Sequence, residues 1–313
     1  MHEGGEATKS LARPSTPPPR ALVAILVGNI ALAFGPWFVR VADTGPVAAA
    51  FWRMALGLPF IAALAWMHGG RPVRLGRGMW WLLAAGGVAF AADLASWHIG
   101  IRMTTLANAT LFGNTATFLF PLYGFLVARA WPTRGQGFAL LLAMAGGVLL
   151  LGRSLDVAPE RLTGDLLCVL AGVLYTVYFI AMARVRESMA PQAALALSTA
   201  ASMAPLLIFA LLLGEQVIPL AWGPLIGLAL VSQVLGQGCM IYALGKLSPL
   251  IVGVALLVQP VVAATVGWIV YDERLGLADF AGAALIAVAL VLVSRAKVAE
   301  APPRAHLAGE EAR

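Results

Sequence analysis

The chain has 313 residues, of which 60% are hydrophobic and only 12% charged. A soluble domain carries about twice that charged fraction, so a water-soluble globule is excluded and lipid must solvate most of the surface. The net charge of +6 reads as the lysine and arginine excess of cytoplasmic loops, not as a nucleic-acid-binding surface.

Residues 1–20 are rich in proline and charge, with no apolar stretch before Arg20, which predicts a disordered cytoplasmic tail and not a cleaved signal peptide. A hydrocarbon core about 30 Å thick needs roughly 20 apolar residues per helix. The first such run is 21–39, bounded by Arg20 and Arg40, and the second is 46–67, opened by Pro46 and carrying Arg53. A basic loop with Arg71, Arg74 and Arg77 follows, then 79–100 with Asp93, then 104–128. Arg129 and Arg134 flank the next loop, and 135–152 is almost featureless. The polar segment 153–164 divides the chain near its middle. Beyond it the plan repeats as 165–183, 192–213, 220–243, 248–270 and 276–294, before a second tail at 296–313.

Each run must be helical, because lipid offers no partner to the free backbone groups of an open strand. The expectation is therefore an all-α, polytopic membrane protein of ten transmembrane helices. Its domains are a tail (1–20), a five-helix repeat (21–152), a linker (153–164), a second five-helix repeat (165–295) and a tail (296–313).

Two stretches point to duplication. WHIGIRMTTLANATLFGNTATFLFP runs from Trp97 to Pro121, and MIYALGKLSPLIVGVALLVQP from Met240 to Pro260. A shift of 143 lays Trp97 on Met240, Ile101 on Leu244, Thr105 on Ser248 and Thr117 on Pro260. Leu26-Val27-Gly28 likewise matches Leu170-Ala171-Gly172 at a shift of 144. With a cytoplasmic N-terminus, 15 lysines and arginines fall inside and 5 outside, so both termini are expected in the cytoplasm. Five spans per half is odd, so the second half enters the membrane inverted. Transporters built this way place their site near the midplane between the repeats.

Charged groups in a membrane helix need a reason. Arg53 lies seven residues inside Pro46, and Asp93 seven residues inside Gly100, so both sit at matched depth below the outer surface. They are candidates for an ion pair that staples two helices or works as a gate, and Asp93 could alternatively titrate. A mid-depth polar set comprises Asn29, Asn114, Tyr175, Gln233 and Gln259, with Gln237 four residues after Gln233, Trp97 four after Asp93, and Tyr178 three after Tyr175. Amides and tyrosines suit a substrate with donors and acceptors, and the rings supply flat apolar surface; the alternative is that the amides only hydrogen-bond between helices. The helix at 104–128 is unusually polar, with Asn108 and several threonines. Pro36, Pro121 and Pro260 are candidate hinges, or simply bends. His98 and Trp66, Trp80, Trp81, Trp131 and Trp222 read as interfacial residues.

No HExxH, GxSxG, Walker A or GxGxxG pattern occurs, and no His/Cys/carboxylate cluster has metal-ligand spacing. An enzyme is not expected, nor a metal or other cofactor. Cys168 and Cys239 both lie in apolar runs and read as small apolar side chains.

These residues resemble the drug/metabolite transporter superfamily, specifically the ten-helix EamA-type permeases, over about residues 21–295. The matching pieces are Pro46-Val47 through Phe51-Trp52-Arg53, the turn from Gly100 to Ala109, Tyr242-Ala243-Leu244 through Ser248-Pro249, Gln259-Pro260, and Asp272-Glu273-Arg274-Leu275 followed by Gly282. Thr117 stands where the family usually has proline, and Ala130-Trp131-Pro132 replaces an acidic element. The resemblance implies export or exchange of a small metabolite across the inner membrane. The neutral, aromatic-bearing set favours a neutral or zwitterionic solute, most of all amino acids including aromatic ones. Drug-like solutes, or a channel-like facilitator, are the alternatives. The partners implied are a small-molecule substrate and the bilayer, with a monomer the simplest assembly.

Overall fold

In the computed structural model, residues 17–67, 76–129, 131–152, 159–271 and 276–295 are described. The expectations for Arg71, Arg74, Arg153, Asp272, Glu273 and Arg274, and for most of both tails, lie outside these residues.

Among the described residues ten helices, some of them interrupted, follow one another in chain order. The first five are α1 (Pro19–Val41), α2 (Pro46–Met67), α3 (Arg77–Met103), α4 (Leu106–Gly113 continued by Ala116–Ala128) and α5 (Arg134–Gly152). The second five are α6 (Leu162–Val185), α7 (Pro191–Leu212), α8 (Gly223–Leu244), α9 (Pro249–Leu256 continued by Val258–Tyr271) and α10 (Leu277–Arg295). Among the described residues nine spans are long and apolar enough to cross a membrane, and the apolar stretch of α5, Arg134–Leu150, is shorter. Leu162, Thr163 and Gly164, expected in the linker, begin α6.

The second repeat packs on the first, helix against counterpart. α2 lies on α7, α4 on α9 and α5 on α10, while α1 lies on α8 and α3 on α6. That exchange, first helix on third and third on first, is the pattern a two-fold axis produces. With five helices per repeat the second copy runs inverted relative to the first. Within lipid such helices associate through close packing of small residues. On α5 and α10 a Cβ at Gly146 would stand 2.7 Å from the Gly282 carbonyl oxygen, and one at Gly282 2.7 Å from that of Gly146.

Local chemistry explains the helix ends and breaks. Thr105 and Ser248 each accept a hydrogen bond from the backbone N–H three residues on, at Asn108 and Ile251, and so cap α4 and α9 in matching fashion. α1 breaks at Phe34, with Pro36 at the start of the next segment, and α9 breaks at Leu257, shortly before Pro260. A proline in a first turn costs little, since its missing N–H would have no partner there. α4 breaks elsewhere, at Asn114 and Thr115, where the Asn114 amide donates to the Thr110 carbonyl and the Thr115 hydroxyl to that of Phe112. Such side chains compete with the helix's own bonds; Pro121 lies well inside the second segment. Leu228–Gln237 of α8 is wound as a π-helix.

Candidate functional site

A cavity partly open to solvent, with about 610 Å³ of atom-free space including that opening, lies between the two repeats. The first repeat contributes Leu32, Ala33 and Pro36 from α1, Arg53 from α2, Phe90, Asp93, Leu94 and Trp97 from α3, and Thr110, Gly113 and Asn114 from α4. The second contributes Tyr175 from α6, Gln237 from α8, and Gln259 and Ala263 from α9.

Arg53 and Asp93 both line this cavity, yet the expected direct ion pair is not formed. Nε of Arg53 instead donates to Oε1 of Gln233 at 3.2 Å, and Nε2 of Gln233 donates to the Thr199 hydroxyl at 2.9 Å. The guanidinium also stands 6.0 Å from the Phe90 ring centre, within cation–π range. Arg53 is 2% and Asp93 7% exposed. Among the described residues no side chain donates to the Asp93 carboxylate. Two groups of opposite formal charge therefore face one cavity without a direct hydrogen bond between them, each still within the electrostatic reach of the other.

Most of the remaining set gathers in or just behind the wall. The Tyr175 hydroxyl donates to Oε1 of Gln237 at 3.1 Å, while Nε2 of Gln237 is buried with no partner. Nε2 of Gln259 donates to Oδ1 of Asn29 at 2.9 Å, and the Asn29 amide donates to the Ile25 carbonyl at 2.8 Å. Asn29 thus supports Gln259 and does not line the cavity. Trp97 lies against α4, its ring nitrogen 3.4 Å from the Ala109 carbonyl oxygen.

Three further candidates stand outside the lining. Tyr178 is fully buried behind Phe90, stacked at 4.3 Å between ring centres. Asn108 donates to Asp165 at 3.0 Å, beside the Thr104 hydroxyl at 2.6 Å from the same carboxylate oxygen, and so joins the start of α6 to α3 and α4. Gln233 is fully buried and turned toward α2 and α7. Regular α-geometry would put Gln233 and Gln237 on one face; the wider i→i+5 turns of the π-helix send them to different partners. Pro36 borders the cavity, whereas Pro121 and Pro260 do not line it. His98 is fully buried, not interfacial, with Nδ1 at 2.9 Å from the Pro46 carbonyl oxygen.

The sequence reading missed a set of backbone clamps at the helix ends. Arg40 donates to the Ile101 and Thr104 carbonyls, and Arg102 in return to those of Val39, Ala42 and Thr44. Asp43 accepts from the backbone of Leu220 and Ala221, and Glu215 from that of Val47 and Ala48. At the opposite end Arg186 donates to the carbonyls of Ile241 and Met189, and burial pushes its guanidinium below the ordinary arginine value. The available signal was position: an arginine at a helix C-terminus faces unpaired carbonyls.

Comparison with known proteins supports this architecture. A solved structure, described only as the crystal structure of a protein, superimposes with a TM-score of 0.71 at 18% identity, over 88% of this chain and 95% of that one. At that identity the likeness concerns the fold. A protein of Archaeoglobus fulgidus named as an uncharacterized transporter is 28% identical over 144 residues, 44% of this chain and 48% of the relative. The chain thus matches about half the length of that curated relative. The EamA-like transporter family matches residues 19–152 and again residues 162–295. The chain belongs to the EamA-like transporter family, a family of transporters rather than of enzymes.

Proposed function

We propose that this protein is a secondary transporter of the inner membrane, exporting or exchanging a small neutral or zwitterionic metabolite by alternating access. Amino acids, including aromatic ones, are the class the cavity suits best. The observation that carries this reading is the mixed lining: one cation, one carboxylate, two glutamine amides and the flat faces of Trp97 and Tyr175 around a single cavity. A sugar nucleotide or phosphorylated solute would call for several cations, and among the described residues Arg53 is the sole arginine or lysine in the lining. The lysine and arginine bias supports cytoplasmic termini, and the repeat-to-repeat packing supports rocking of one half against the other.

The test is export of labelled amino acids, phenylalanine and tryptophan among them, from cells overexpressing the protein. Faster loss of label than from control cells is expected for at least one member of the panel, and Gln259→Ala is expected to reduce it. A flat result across the panel sinks the amino-acid assignment.

A further inference from the structure

We propose that the cavity reads both ends of a zwitterion. The substrate carboxylate is held by Arg53 and the amide nitrogen of Gln237, and the substrate ammonium by Asp93. This rests on the reading of the cavity as the transport site and goes further by assigning each end of the solute to a side chain.

Three observations converge. The guanidinium has five N–H donors, and Nε alone is used, on Gln233 behind it. Its terminal nitrogens are thus available on the cavity side, where Arg53 contributes to the wall. The planar guanidinium fork matches a carboxylate, and its charge strengthens such bonds. Gln237 supplies a second donor. Its Oε1 is occupied by the Tyr175 hydroxyl at 3.1 Å, which fixes the amide, and its Nε2 is left buried without a partner. A buried polar group without a partner is costly unless something else satisfies it. Asp93, on α3, brings the complementary charge and receives no hydrogen bond from any described residue.

The lack of a direct bond between Arg53 and Asp93 points to the substrate class. Paired directly, Arg53 and Asp93 would form a staple and leave the cavity neutral. Facing one cavity without a direct bond, the two are answered together by a solute that carries charges of both signs. A monoanion would answer Arg53 and leave Asp93 unpaired in a low-dielectric site, and a monocation would do the reverse. A zwitterion answers both, and its side chain then lies against Trp97, Leu32 and Ala263.

The experiment uses the full chain in proteoliposomes preloaded with unlabelled phenylalanine. It follows uptake of labelled phenylalanine in competition with 3-phenyllactate, which lacks the ammonium, and phenethylamine, which lacks the carboxylate. For the unmodified protein each single-charge analogue should compete at least about tenfold more weakly than phenylalanine, about 1.4 kcal/mol per end. Asp93→Asn should erase the discrimination against 3-phenyllactate. Gln237→Glu keeps an acceptor for Tyr175 and adds a charge that repels the carboxylate, so it should weaken phenylalanine and 3-phenyllactate but spare phenethylamine. If phenylalanine exchanges and neither variant alters the ranking, the subsite assignment is wrong while the transport reading stands. If phenylalanine and every other amino acid in the panel fail to exchange, the transport reading falls and the assignment with it. Elution of each variant as a single species in detergent separates a binding defect from misfolding; should Asp93→Asn aggregate, Gln237→Glu alone decides.

Discussion

Gln233 shows how a residue outside the lining of the cavity still shapes it. Both ends of its amide are used, on Arg53 and Thr199, so it fixes the guanidinium from behind. Gln233→Leu strips one bond from a charged group and one from a buried hydroxyl. Hydrogen bonds to charged groups contribute about 1.5–3 kcal/mol and neutral ones about 1 kcal/mol. Gln233→Leu should therefore lower the melting temperature of the detergent-purified protein more than Thr199→Val does. Because both substitutions break the same chain of bonds, the double variant should melt no lower than Gln233→Leu alone; strictly additive losses would show that the two bonds are not linked. The set of polar residues worth attention was legible in the sequence, since an amide or charge amid apolar residues is conspicuous. Their directions were not. Gln233 and Gln237 diverge because α8 is π-wound, and nothing in LALVSQVLGQ announces that. The opposite signs and matched depth of Arg53 and Asp93 suggested a bond between them; that Gln233, 180 positions along the chain, takes up Nε of Arg53 is set by packing.

The helices themselves were legible to within a few residues, because apolar runs between charged punctuation dictate where lipid-crossing segments begin and end. Breaks within them were less so. Proline marked the interruptions of α1 and α9, but that of α4 comes from Asn114 and Thr115. The helices that carry breaks also pack together: α4 and α9 meet where a Cβ on Gly253 would lie 2.6 Å from the Thr117 carbonyl oxygen. Gly253→Leu must therefore push α9 off α4, and a marked loss of folded yield and of melting temperature is expected. Gly238 on α8 is the contrast, since a Cβ there meets nothing within 4 Å. Gly238→Ala should be neutral or stabilising by up to about 1 kcal/mol, the usual helix-interior gain over glycine. Thermal melting of the two variants side by side checks both, and equal melting would mean that the α4–α9 contact yields more easily than its backbone approach suggests.

At the scale of the molecule, duplication makes the two ends chemical counterparts, and the clamps show where they differ. Arg40 reaches the carbonyl of Ile101 across from α1 to α3, and Arg186 reaches that of Ile241 across from α6 to α8. These contacts join corresponding pairs of helices in the two repeats, one at each end, though not through corresponding residues. Arg102 has no comparable mate among the described residues: the basic residue in the corresponding turn of the second repeat, Lys246, turns back onto the Tyr242 hydroxyl. Among the described residues the end bearing Arg40 and Arg102 is thus the more heavily tied, with Asp43 and Glu215 adding bonds between the repeats. In an alternating-access protein such ties set the balance between the two openings. Removing both arginines, by Arg40→Ala with Arg102→Ala, takes away charge-assisted bonds contributing about 1.5–3 kcal/mol each. It should shift that balance by at least tenfold toward opening at this end. The readout is a cysteine at the cavity residue Ala263, in a chain with Cys168 and Cys239 replaced by alanine, labelled by membrane-impermeant thiol reagents. Under the proposed orientation this end is external, so labelling from outside should accelerate in the double variant while labelling from inside slows. Acceleration from the inside alone would reverse the orientation; unchanged rates from both sides would mean that the arginines hold the helix ends in place without biasing the opening.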